Sequence, residues 1–167
     1  MNTLYKLTTS DWKTRPGKDN ETQWGPGVSH RTSGKGGLCN HGWIHAYFSP
    51  ELAVLLDIIH GCYGVNAVLW RCEGEIGMRD GQLKVGCTPL TTIEIVEKPT
   101  ISTDQRVRFA ILCALEVCND ATFRTWAANW LSGESCSKSA AWAAAAAALV
   151  NCRELDLVNI AKKALAA

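Results

Sequence analysis

The feature that most constrains this chain is a change of composition near residue 98. Before it lie all four histidines and most of the glycines, set between short runs of β-branched and aromatic residues. After it the chain turns rich in alanine, with apolar residues spaced three and four apart. Runs of the first kind make strands and runs of the second make helices. A chain of 167 residues has room for one domain, or for a small domain with an appendage. The pattern predicts an α+β fold. A small mixed or antiparallel sheet with one short helix occupies residues 1–98, and an alanine-rich helical subdomain over 99–167 packs on it as a bundle.

Within the first part, Thr3–Thr9 (TLYKLTT), Trp43–Ser49 (WIHAYFS), Asn66–Ile76 (NAVLWRCEGEI) and Thr91–Lys98 (TTIEIVEK) read as strands. Asp80-Gly81 is a hairpin-turn signal between the last two. Val68, Trp70 and Cys72 alternate with Leu69, Arg71 and Glu73, so one side of that strand is polar or ligand-facing. Ser49-Pro50-Glu51 is a helix start: a capping hydroxyl, a proline at the first helical position and an acid in the first turn. Leu52, Leu55, Leu56 and Ile59 then keep one face to about residue 59. Residues 10–37 are polar and rich in Gly and Pro without periodicity, which predicts a mobile loop or a flap over a site. In the second part, Ser102–Gln105 has capping-box spacing before a helix to Val117. Asn119-Asp120 starts another, with Phe123, Trp126, Ala127 and Trp130 on one side and Gly133 as its stop. Ala140–Val150 and Leu155–Ala166 supply one or two more helices.

Charge and cysteine content exclude some classes. Seventeen basic and sixteen acidic side chains give a net charge of +1, too balanced for broad capture of nucleic acid or anionic lipid. Eight cysteines invite a disulfide framework. However, the N-terminus lacks the basic and apolar regions of a secretory signal, and Cys113, Cys118, Cys136 and Cys152 lie in helix-like surroundings. These observations predict free thiols in a cytoplasmic protein. The apolar run Ala140–Val150 is too short to span a bilayer.

Three chemistries compete for the stretch Cys39–Leu56. A metal site would use Cys39, His41 and His45, with Cys62, Cys72 or Cys87 as a fourth ligand. On a strand, though, positions four apart lie about 13 Å from one another, so only a tight turn at His41-Gly42-Trp43 would let the histidines converge. Nucleophilic catalysis lacks an elbow motif, and no phosphate-cradling glycine loop follows a strand. A ligand pocket is better motivated. Tyr5, Lys6, His45, Tyr47, Arg71, Glu73 and Glu94 come from four segments that can neighbour one another in a sheet, beside a long glycine-rich loop. The plainer reading makes His45 and Tyr47 core residues, and Arg71, Glu73 and Glu94 a solvated cross-strand ladder.

The order of a Tyr-Lys strand, a variable loop, the Cys39–Ala46 signature feeding a helix, AVLWRCEGEI, LKVG and IEIVEK resembles a small domain family frequent in tailed-phage genomes. In that family an alanine- and tryptophan-rich helical tail follows, as AAWAAAAAALV and IAKKALAA do here. More distantly the chain is similar to the ADP-ribosyltransferase superfamily. There Tyr47 or Ser49 would take the second motif position and Glu94 or Glu97 the third, while Tyr5-Lys6 stands where a His or Arg belongs. The resemblance implies a phage-type accessory protein for host takeover or counter-defence, acting in the host cytoplasm. It would bind a host protein or sequester a nucleotide-derived small molecule, either NAD-like or a cyclic nucleotide. One alternative is an ADP-ribosyltransferase-like enzyme that cleaves an NAD-type glycosidic bond, with Glu94 stabilising the developing positive charge. Another is a homo-oligomeric structural protein joined through the alanine-rich helices.

Overall fold

A computed structural model describes residues 2–57, 61–134 and 155–166. The chain divides into two compact units, Met1–Thr100 and Ile101–Ala167. The described residues are mixed α and β, with an antiparallel main sheet and four helices.

In the first unit the long strands β1 (Asn2–Thr8), β6 (Val68–Asp80) and β7 (Lys84–Val96) pair antiparallel in the order β1-β6-β7. The β6–β7 hairpin turns at Gly81, whose φ of 53° lies in the left-handed region that glycine enters without strain. Both strands run longer than their sequence signals, because Gly74, Gly77 and Gly86 interrupt the apolar pattern inside the ladder. The register shifts between Arg71 and Cys72 and twice more before Met78, and such bulges bend a ribbon. The bend lets β5 (Ile44–Ala46), paired to β7, also reach β1. Tyr5 and Tyr47 exchange both backbone hydrogen bonds, at 2.9 and 2.8 Å. The ring β1-β6-β7-β5-β1 is therefore hydrogen-bonded all the way round, which makes a small barrel.

Closure decides which side chains go inside. Leu4, Ile44, Ala46, Trp70, Cys72, Val85, Cys87 and Leu90 form the interior cluster with Trp24. The two buried indoles of this cluster are satisfied, Trp70 Nε1 donating to Thr8 Oγ1 at 3.1 Å and Trp24 Nε1 to Thr14 Oγ1 at 3.0 Å. Leu7 and Leu69 alternate outward and are nonetheless buried, and α1 (Pro50–Leu55) lies against β1. Ser49 caps α1 as its sequence implies, with Leu52 N–H donating to its hydroxyl at 3.2 Å. The helix ends at Leu56, and Ile59, the last residue of the predicted stripe, lies outside the described residues.

Residues 10–37 are not a structureless flap. They hold three two-residue strands: β2 (Lys13–Thr14) and β3 (Thr22–Gln23), which pair with each other, and β4 (Ser29–His30), which adds to β7. Thr92 fixes the turn before β4, its hydroxyl donating to Gly25 O and its N–H to Val28 O. Strands this short carry no periodicity to read.

The second unit has α2 (Thr103–Val117), α3 (Ala121–Ser132) and α4 (Leu157–Leu165). Both bonds of the Ser102–Gln105 capping box form, at 3.1 and 3.0 Å. Gly133 ends α3 with φ 88°. Val107, Ile111, Ala127 and Trp130 make the core of α2 and α3, and α4 packs on α2. Ala140–Val150 lies outside the described residues, as do Cys136 and Cys152. Among the described residues no helix is long and apolar enough to cross a membrane, and no two cysteines form a disulfide.

Candidate functional site

A cavity of about 1050 Å³ lies wholly within the first unit, between β5, the loops of residues 9–43, the end of α1 and Lys84. Its size is at the upper end of small-molecule sites. Three elements of local chemistry shape it. Closure of the ring turns Lys6 inward, between Leu4 and Thr8. Gly42 lets the Lys35 carbonyl approach so closely that any Cβ would collide with it, which folds the 34–43 loop tight. Trp43, whose Nε1 donates to Gly36 O at 2.9 Å, lies across β6 and β7 where Gly77 and Gly86 present no side chain.

The charged side chains of the lining are predominantly cationic. Lys6, Arg15, Lys18, Arg31 and Lys84 face the cavity with His30, His41 and His45, against one carboxylate, Asp57. That carboxylate is already engaged, accepting from Tyr63 N–H at 3.1 Å and Gly64 N–H at 3.3 Å. Lys6 is 8% exposed and Lys84 6%. Lys6 Nζ donates to His45 O at 3.0 Å and sits 5.2 Å above the Trp24 ring; Lys84 Nζ meets Cys39 Sγ at 3.4 Å. Lys13 and Arg71 are the cations of four ion pairs, and neither of them lines the cavity. Burial lowers the Lys6 amine to about 8, only partly opposed by the nearby Cys72 and Cys87 thiols. Burying a charge without a counter-charge is costly, and two such lysines line this one cavity. Arg15 and Cys62, two of the three non-glycine residues with φ near +60°, also line it, and such strain clusters at binding sites.

Burial also shifts the titration of the neighbouring imidazole, phenol and thiols. Burial lowers His45 to about 4, with Lys84, Lys6 and Arg15 adding to the effect and the Leu38 carbonyl opposing it. The ring is thus neutral near pH 7. Because a carbonyl only accepts, its Nε2 carries the proton donated to Leu38 O. Burial raises the Tyr47 phenol well above its ordinary value. Burial likewise pushes the Cys72 and Cys87 thiols up to about 12 and 11, so they stay protonated and unreactive.

Of the seven residues read from the sequence as ligand-facing, Lys6, His45 and Tyr47 line the cavity and Tyr5, Arg71, Glu73 and Glu94 do not. Arg71 pairs with Glu94 at 2.7 Å and with Glu73 at 3.4 Å, a cross-strand ladder on the outer face of β6 and β7. His45 and Glu94, both among those seven, do not share a cavity. His45 pairs with Gly86 on β7, eight residues before Glu94, roughly 26 Å along an extended strand. The metal alternative fails as well. No group of three His, Cys, Asp or Glu close enough to hold an ion occurs among the described residues. His45 is committed to Leu38 O and Cys39 to Lys84. The residues missed are Arg15, Arg31, Asp57 and Lys84. A signal existed for the arginines, since the 10–37 loop holds Lys13, Arg15, Lys18, Arg31 and Lys35; none existed for Lys84, a single lysine after a hairpin turn. Comparison with protein-family models, curated proteins and solved structures returns no match to this chain.

Proposed function

We propose that this chain is a phage-type accessory protein of the counter-defence kind, whose first unit binds and sequesters a nucleotide-derived anionic small molecule. One observation carries the binding part: Lys6 and Lys84, each more than nine-tenths buried, share a cavity with Arg15 and Arg31 and have no carboxylate partner among the described residues. A protein surface offers no comparable ligand for two buried ammonium groups, whereas a phosphate reaching into the cavity does. The phage-type context rests on the order of the Tyr-Lys strand, the Cys39–Ala46 signature and the following strands. Sequestration without turnover fits a cavity whose imidazole, carboxylate and phenol are each buried or already hydrogen-bonded.

The test is a thermal-shift and calorimetric panel on the full chain with NAD, cyclic dinucleotides, cyclic ADP-ribose isomers and nucleoside phosphates. A ligand at a hundredfold its dissociation constant stabilises by about 2.7 kcal/mol. At least one nucleotide should raise the melting temperature and be recovered unchanged. Lys84→Gln should abolish the shift. A panel with no stabilising member refutes the reading, and so does recovery of cleaved ligand.

A further inference from the structure

We infer that the ligand class is a polyphosphate-bearing nucleotide, held by its chain of phosphates rather than by its base. This deepens the reading of the cavity as a nucleotide site and rests on it. Its first ground is how the positive charge is distributed in depth. Lys6 and Lys84 are buried, Arg15 is half-buried, and Lys18 and Arg31 are exposed, yet all five line one cavity. A single phosphate cannot meet both the buried and the exposed members of such a series. A chain of two or three phosphates places successive negative charges along it. With five lysine and arginine side chains against one engaged carboxylate, the lining is strongly unbalanced toward cations, which matches a ligand of several negative charges better than a monoester or a neutral nucleoside.

The second ground is what the two tryptophans of the lining already do. The Trp24 ring has the Lys6 ammonium over it at 5.2 Å and His30 packed against it edge-on at 4.7 Å, and its Nε1 is spent on Thr14. The Trp43 ring lies so close over Gly77 that an added Cβ would stand 2.5 Å from it, and its Nε1 is held by Gly36 O. Neither indole is free to clamp a base, so stacking on tryptophan is not what holds the ligand. Binding led by phosphate is tolerant of the base and sensitive to salt.

The experiment is isothermal titration of the full chain with tripolyphosphate, ATP, GTP, AMP, NAD and adenosine, repeated across a salt series. Tripolyphosphate, ATP and GTP should bind within about threefold of one another, AMP at least tenfold more weakly, and adenosine not at all. Affinity for the triphosphates should fall as salt rises. Lys84→Gln and Arg15→Gln should each weaken triphosphate binding at least tenfold, while Glu94→Gln on the outer face leaves it unchanged. Wild-type measurements decide the matter even if a variant fails to fold. AMP binding as tightly as ATP, or a base preference with no binding of tripolyphosphate, overturns this inference and leaves the nucleotide site standing. Failure of every nucleotide overturns both.

Discussion

Lys6→Met should make the ligand-free protein more stable at neutral pH. The wild-type amine falls from 10.5 to about 8 because the barrel wall excludes water from it. Each pKa unit is worth about 1.4 kcal/mol, so holding the ammonium inside costs the folded state about 3 kcal/mol at pH 7. The sign follows from proton counts. Between about pH 8 and 10.5 the unfolded chain holds the proton and the native one does not, so stability rises with pH through that window. Below about pH 8 the cost is present in full. Methionine keeps the length of the stem and removes the charge. It also removes the donor to His45 O, a loss of about 1 kcal/mol. The net expectation is a gain of about 2 kcal/mol at pH 7 that shrinks as pH rises and becomes a loss of about 1 kcal/mol by about pH 10.5. Urea unfolding of both proteins at pH 7, 9 and 10.5, followed by tryptophan fluorescence, measures it. Ligand binding, by contrast, should weaken. A less stable Lys6→Met protein at pH 7 would refute the reasoning, because the lysine would then be a satisfied structural group. A gain in stability paired with a loss of binding is the pattern of a residue kept for its site.

Three other expectations follow from particular contacts. Gly77→Ala puts a methyl 2.5 Å from Cζ3 and 2.8 Å from Cη2 of Trp43, whose indole is tied to Gly36 O. Overpacking of this kind costs about 1–3 kcal/mol, seen as a lower urea midpoint, and it should weaken ligand binding too, since Trp43 lines the cavity. Acidification should destabilise the fold as pH falls from 6.5 toward about 4, because over that range the unfolded imidazole of residue 45 takes a proton that the buried ring refuses. His45→Gln should flatten that part of the pH–stability curve. Glu94→Gln should leave both the unfolding midpoint and ligand affinity unchanged, because its carboxylate is exposed in the ladder with Arg71. A loss of binding in that variant, measured by calorimetry, would return the outer face to contention.

The helix starts were legible because capping is local chemistry: Ser49 with Pro50, Ser102 with Gln105 and Asp120 each hold the first turn within four residues of themselves. The alternation of β6 was legible for the same reason, and Trp70 and Cys72 do share the buried side while Arg71 and Glu73 share the other. Which side faces a ligand was not legible, because that depends on whether the sheet stays open or closes. An open sheet would leave Arg71, Glu73 and Glu94 on a face that a loop can cover. Closure through the Tyr5–Tyr47 bridge makes that face the outside of a barrel. The same event carries Lys6 inward, one residue from Tyr5, since neighbouring side chains on a strand point to opposite faces. A single nonlocal pair of hydrogen bonds thus divides two adjacent residues of the same sequence motif, sending the lysine to the cavity and leaving the tyrosine out of its lining. The bridge in turn depends on bulges between Arg71 and Cys72 and beyond, where the ladder slips its register to bend. The anion binding proposed for this unit therefore depends on barrel closure, and a change that straightens the β6–β7 ribbon should cost the site its buried lysine before it costs the ribbon its pairing.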